Sequence, residues 1–435
     1  MSSHSPAAYL EASESSAFAK AAWRLIPFLF LCYLSAYLDR INVAFAKLQM
    51  LNDLGFNEAI YGFGAGVFFI GYLIFEVPSN LLLMRVGPRR WIARIMVTWG
   101  LVSAGMMFVR TPIMFYGMRF LLGVAEAGFF PAIVLYLTYW FPSSRRSKVT
   151  ALFMTGIPMS GVIGGPLSGW LMTALAGAHG LAGWQWLFVL EGVPTVLLGV
   201  VAFFFLDDKV QDASWLSESE KSVIEQKLKE EEPEGVLHSV KDGLLNPNIL
   251  LVSAVYFFYT MGLYGVSFWL PTLIKSSGVA DPLNVGLLTA IPYAVGAVAM
   301  IVVSRNSDRT GERRWHLIVP GLVGAFGLAL SVWFAHSTTL AMIALTIGTM
   351  GVMTTISQFW VLPPAFLSGA AAAAGLALAN SVGSISGVVS PSLIGVIKNA
   401  TGSAGAGVLG LSVSLLIGGL LVLLVPASLV NSRRR

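Results

Sequence analysis

Charge is missing from this chain in block after block of roughly twenty apolar residues, each long enough to cross the hydrocarbon core of a bilayer as a helix. Twelve such blocks can be read, at 23–46, 59–84, 91–109, 112–140, 148–174, 184–205, 248–274, 284–304, 315–335, 338–362, 370–397 and 405–427. They are too long for barrel strands of about ten residues and lack an in-out alternation, so the expectation is an all-α membrane protein. The balance of residue types agrees, with 56% hydrophobic and only 11% charged over 435 residues. Trp23, Trp140, Trp184 and Trp315 fall near block ends, where indole rings favour the headgroup layer. The first twenty residues are small and polar, so the first block reads as a retained span. A single cysteine, Cys32, excludes an intramolecular disulfide framework.

The placement of Lys and Arg orients the spans. One set of connecting segments carries Lys20 and Arg24, the Arg85 to Arg94 cluster, Arg145 to Lys148, the lysines between 209 and 241, the Arg305 to Arg314 cluster and the terminal Arg433 to Arg435. Opposite segments carry only Lys47, Arg110, Lys275 and Lys398. Both termini are therefore expected in the cytoplasm. The formal net charge of +5 expresses this bias and needs no nucleic-acid partner.

The chain is also doubled. Arg85-Val-Gly-Pro-Arg-Arg-Trp91 recurs as Arg309-Thr-Gly-Glu-Arg-Arg-Trp315, each copy between the second and third span of its half. Two six-helix bundles follow, at 23–205 and 248–428, flanked by cytoplasmic tails at 1–22 and 429–435. A polar linker at 206–247 joins them, with a surface helix starting near Ser214-Trp-Leu-Ser-Glu and running to Glu232-Pro233.

Twelve spans in two parallel halves with a repeated R-x-G-x-R-R loop resemble the major facilitator superfamily. Within it, Tyr37-Leu-Asp-Arg-Ile-Asn42, Phe75-Glu-Val-Pro-Ser-Asn80, Arg119-Phe-Leu-Leu-Gly-Val-Ala-Glu-Ala-Gly128 and Trp186 to Pro194 resemble the anion:cation symporter family. Leu362-Pro-Pro-Ala-Phe-Leu-Ser-Gly369, continuing to Asn380, is most similar to its tartrate-transporter branch. The resemblance implies that Asp39, Arg40, Arg119 and Glu126 handle protons and carboxylates.

The residues themselves point to the same four. A charge at mid-membrane costs about 2.5–3.5 kcal/mol even on insertion scales, so those that are kept usually serve function. Six lie within spans, all in the first half: Asp39, Arg40, Glu76, Arg119, Glu126 and Glu191. On the first span Cys32, Ser35, Asp39 and Asn42 share one stripe while Tyr33, Tyr37 and Arg40 share the next, so this helix is expected to offer both signs of charge to a central cavity. Arg119 and Glu126 are seven apart and share a face. Arginine forks suit a carboxylate, and Asp39 or Glu126 could take a proton when an arginine turns from acid to substrate. Static ion pairs locking the first span to the fourth are the alternative. Glu76 is assigned to an inner gate and Glu191 to a structural hydrogen bond.

The second half has no acid or base inside its spans, so recognition there falls to neutral groups: Tyr264 on the seventh span, Gln358 and Trp360 on the tenth, and Asn380 on the eleventh, with Tyr37 opposite. The basic loops supply a cytoplasmic gate from Arg85, Arg89, Asp308, Arg309 and Arg313. Met84 stands where the superfamily loop usually has an acid, which Asp308 provides in the second copy. Gly161-x3-Gly165-Pro166-x2-Gly169 resembles the glycine-rich signature of drug:proton antiporters, and close helix packing is its other reading.

The chain is thus expected to be a proton-coupled importer of small organic anions in a bacterial inner membrane, working by alternating access. A hydroxylated dicarboxylate such as tartrate or a sugar acid is the first substrate class. Aromatic carboxylates of the 4-hydroxyphenylacetate or phthalate type are the second, and a drug:proton antiporter follows. Protons are the coupling ion, the bilayer is the surrounding partner, and a monomer without cofactor or metal is expected. No nucleophile and base pair, metal-ligand cluster or nucleotide loop suggests an enzyme.

Overall fold

The computed structural model describes residues 6–230, 245–360, 362 and 369–431. The end of the predicted linker helix at Glu232-Pro233, most of the Leu362 to Gly369 motif and the arginines at 433–435 lie outside the described residues. The helices of the first half are α1 (Pro6–Leu54), α2 (Glu58–Val86), α3 (Pro88–Gly105), α4 (Pro112–Glu126), α5 (Phe129–Thr138), α6 (Ser143–Met154), α7 (Gly156–Ala174) and α8 (Gly183–Phe205). After the linker helix α9 (Glu218–Glu230) come α10 (Pro247–Ser276), α11 (Pro282–Thr310), α12 (Trp315–Trp333), α13 (Thr338–Phe359), α14 (Gly369–Thr401), α15 (Gly405–Val422) and the short α16 (Ala427–Val430).

Eleven helices among the described residues are long and apolar enough to cross a membrane. The predicted span at 148–174 is absent from that set. It is drawn as two helices, α6 and α7, meeting at Thr155, and α7 is rich in glycine, serine and proline rather than in aliphatic residues. The fourth span also breaks, at Ala127-Gly128. Gly128 adopts φ +85°, a left-handed conformation in which a side chain would be strained, so α4 ends at Glu126 and α5 starts afresh at Phe129. Large apolar side chains such as Ile113, Phe204 and Trp333 are more than three-quarters exposed, which suits contact with acyl chains and would be a liability in water.

Within the first half α3 packs on α8, α2 on α4, and α1 on α7 and α8. Within the second, α12 packs on α13 and α15, and α10 on α14 and α15. The halves meet along two seams, α2 against α14 and α7 against α11, with α1 beside α10. Both seams are built on glycine. A Cβ on Gly165 would stand 2.6 Å from the Gly286 carbonyl oxygen, and one on Gly62 3.0 Å from the Gly395 Cα. The Gly161 to Gly169 motif therefore serves close packing of α7 against α11, the contact that small residues permit when lipid offers no hydrophobic drive between helices.

The tryptophans divide. Trp23 and Trp315 are largely exposed, as expected near a headgroup layer. Trp140 and Trp184 are buried instead: Trp140 stacks on Trp215 at 5.5 Å, and Trp184 Nε1 donates to Asp53 Oδ2 at 2.8 Å. In the linker, Ser217 and Glu220 close a reciprocal capping box at the start of α9, and Lys20 reaches Glu220 at 3.0 Å from α1. The cap lies three residues beyond the predicted Ser214.

Candidate functional site

Between the halves lies a cavity whose walls come from α1, α2, the α4–α5 break, α6, α7, α10, α13 and α14. Ten of its eighteen lining residues are aromatic, and its charged groups are Arg40 and Glu126. Position follows from the helix breaks. Because α4 stops at Glu126, that carboxylate sits at a helix end rather than midway along a cylinder, and Phe129 and Phe130 of α5 turn into the cavity beside it.

Arg40 and Glu126 form a direct ion pair, with side chains only 11% and 2% exposed. Aromatic faces surround the guanidinium: Tyr37 at 4.8 Å, Phe68 at 5.3 Å and Tyr72 at 5.8 Å from ring centre to Cζ. Arg40 Nε and Glu126 Oε2 have no hydrogen-bond partner among the described residues. The pair thus retains one spare donor and one spare acceptor. Removing either partner from such a pair leaves an uncompensated buried charge, at a cost of about 3–5 kcal/mol.

Asp39 does not face this cavity, contrary to the expectation that the first helix offers it both signs of charge. It turns toward α3 and α8, where Trp99 Nε1 donates at 2.7 Å, Ser103 Oγ at 2.7 Å and Thr195 Oγ1 at 2.7 Å. The reason is helical geometry: residues 39 and 40 stand about 100° apart around the axis, so one cannot enter the cavity beside the other. Glu191 lies in a neighbouring buried set and accepts from Ser168 Oγ at 2.8 Å, a structural hydrogen bond of the kind expected.

Arg119 is also off the cavity wall. Fully buried, it donates from Nε to Gly64 O at 3.3 Å and from Nη2 to Ala65 O at 3.4 Å, with the Phe68 ring 5.2 Å away. Phe68 thus stands between Arg40 and Arg119. In the second half Tyr264, Trp360 and Asn380 line the cavity, whereas Gln358 does not and instead donates to Ser304 Oγ at 2.6 Å. Sequence reasoning passed over Tyr72 and the Phe129-Phe130 pair. Gly128 was the available signal for those two phenylalanines.

Glu76 and Asn380 meet across the halves, Asn380 Nδ2 donating to Glu76 Oε1 at 2.8 Å. Among the described residues no ion pair joins the two basic loops. Arg89 N donates to Asp208 Oδ1 at 2.9 Å, Arg313 pairs with Asp308 at 2.6 Å, and Arg313 N donates to Asn431 Oδ1 at 2.8 Å. Each loop is therefore tied to the chain leaving the last span of its own half. Asp208 takes up the first-copy loop that Met84 leaves without an acid. Arg85 and Arg309 are exposed, and no ion pair among the described residues links the two loops, so the expected gate across them is not formed here.

The family model described as Major Facilitator Superfamily matches residues 29–391. The chain is 49% identical over 416 residues to the "Putative metabolite transport protein NicT" of Pseudomonas putida, covering 95% of each. It is 47% identical to a "Putative tartrate transporter" of Agrobacterium vitis, over 95% of this chain and 92% of that one. It is 41% identical to a "Quinolone resistance transporter" of Acinetobacter baumannii, over 94% and 95%. Among solved structures, an inward-facing, occupied bacterial homolog of the human lysosomal transporter Spinster superposes with a TM-score of 0.74 at 15% identity, over 92% of this chain and 96% of that one. With two glycine seams between its halves, a charged aromatic cavity at their centre and transporters as its relatives, this multi-pass membrane transporter belongs to the Major Facilitator Superfamily.

Proposed function

We propose that the protein is a proton-coupled importer of small organic anions, with twelve spans, cytoplasmic termini and a place in a bacterial inner membrane. The observation that carries this reading is the Arg40–Glu126 pair on the wall of a cavity between the halves. A carboxylate arriving with one proton can take the place of Glu126 on Arg40 while Glu126 accepts the proton at its free Oε2. For a monocarboxylate the site's net charge is unchanged by that exchange, and a dicarboxylate needs a second proton for the same balance, which spares the bilayer an unpaired ion during the rocking of the halves. Asp39, held by three donors away from the cavity, then acts on coupling through the tilt of α1 rather than by touching the substrate. The second half brings no charged side chain to the cavity wall, so Asn380, Tyr264 and Trp360 would meet the neutral part of the cargo.

Two substrate classes compete. Relatives named for tartrate support a hydroxylated dicarboxylate. The density of rings around Arg40, with Tyr256 stacked on Phe359 at 4.2 Å beside Trp360, favours an aromatic carboxylate as the second reading. Uptake into proteoliposomes, with and without an imposed pH gradient and across a carboxylate panel, tests both. Stimulation by an inward proton gradient is expected for an acid of one class. Outward exchange of a quinolone with no carboxylate response would replace this reading with a drug:proton antiporter.

A further inference from the structure

Lys47, Lys275 and Lys398 are three of the four cations that the sequence places opposite the arginine-rich loops, and the fold gathers all three at one point. Lys47 Nζ lies 2.7 Å from Glu58 Oε2 and Lys398 Nζ lies 2.6 Å from Glu58 Oε1. Lys275 Nζ donates to the Leu48 carbonyl at 3.0 Å. The indole of Trp269 is 3.5 Å from Lys47 Nζ and 5.8 Å from Lys398 Nζ. Nearby, Tyr61 Oη donates to Phe268 O at 2.7 Å.

Ownership of these groups matters. Lys47, Glu58 and Tyr61 belong to α1 and α2, whereas Trp269, Lys275 and Lys398 belong to α10 and α14. Every contact except Lys47–Glu58 and Lys398–Trp269 therefore crosses between halves, and each crossing contact must break when the halves part at this end. A latch needs one pair. Here one carboxylate pairs with two ammonium groups while a third, Lys275, sits on the neighbouring Leu48 carbonyl, and Lys47 is only 4% exposed, so two positive charges are held without a matching anion.

The geometry points to an anion-capture site at the outer mouth, which Glu58 occupies while the mouth is closed. Parting of the halves withdraws Glu58 with α2 and leaves Lys275, Lys398 and the Trp269 face together on the other half. A carboxylate from outside then takes the place of Glu58 on Lys398, holding the mouth open and delivering cargo toward Arg40. The anion class and the sidedness rest on the function proposed above; the latch itself does not.

Two measurements separate these parts. In a Cys32→Ala background, spin labels at Arg110→Cys and Ser403→Cys, both exposed, report the width of the mouth. Glu58→Gln should shift their separation to longer values without ligand, and an unchanged distribution would overturn the latch. Lys398→Met should raise the half-saturating L-tartrate concentration ~10-fold in right-side-out vesicles and by less than about twofold in inside-out vesicles, with Lys398→Arg restoring it. Equal effects on both faces, or none on either, would overturn the capture site. If the unaltered protein transports no carboxylate, the function reading fails separately. The capture site is then judged by equilibrium binding of radiolabelled L-tartrate to Glu58→Gln protein, which adding Lys398→Met should weaken ~10-fold; undiminished binding rejects it.

Discussion

Asn380 Nδ2 donates to Glu76 Oε1 at 2.8 Å, joining α14 to α2 across 304 residues of sequence at the edge of the central cavity. Glu76 is 7% exposed, so the amide satisfies a carboxyl that water barely reaches. Asn380→Leu should lower the apparent stability by about 1–3 kcal/mol, read as a fall in melting temperature of the detergent-purified protein. Glu76→Gln should be much milder, because a side-chain amide still accepts from Asn380. Equal losses from the two substitutions would count against the hydrogen bond as the source.

Arg40 and Glu126 should fail in different ways. Arg40→Lys keeps the charge but loses the planar fork and its stacking on Tyr37, and carboxylate uptake should fall ~10-fold or more. Glu126→Gln keeps a neutral partner for Arg40 and removes the proton acceptor. Exchange of internal for external substrate should persist in that variant while stimulation by a pH gradient disappears. Full accumulation by both variants would end the coupling proposal.

The glycine seam between α7 and α11 can be tested against a glycine that packs on nothing. Gly165→Val would drive a side chain into the Gly286 carbonyl, costing about 1–3 kcal/mol in the conformation described and hindering closure of the halves. Uptake should be abolished although the protein reaches the membrane in normal amounts. A Cβ on Gly117 would meet no atom within 4 Å, so Gly117→Ala should transport normally.

Glu312 lies in the second basic loop, outside the spans. Burial pushes its carboxyl up, but hydrogen bonds from the Trp315 backbone N–H and from His316 outweigh that and hold it below the usual carboxylate range. A carboxyl depressed in the folded state contributes stability above its unfolded pKa of about 4.3, and that contribution is lost as pH falls through the lower folded value. Melting temperature should therefore decline as the pH drops below about 4, and Glu312→Gln should flatten that part of the profile. An unchanged profile in the variant would assign the acid sensitivity elsewhere.

Sequence alone determined that this chain crosses a membrane as helices, because uncharged blocks of that length have no alternative in water or in lipid. It also determined the doubling, since Arg85 to Trp91 and Arg309 to Trp315 repeat in register, and it singled out the ions of the first half, whose expense in lipid makes them conspicuous. Tertiary structure decided which of those ions meet. Arg40 joins Glu126, Asp39 turns to Trp99 and Thr195, and Arg119 goes behind Phe68, because adjacent residues on a helix point in different directions and the helix break at Gly128 resets the face that follows Glu126. The convergence of Lys47 and Lys398 on Glu58, with Lys275 on the adjoining Leu48 carbonyl, was equally illegible, for it joins four separate stretches of chain, and ion pairing between them depends on distances that only the packed seams set.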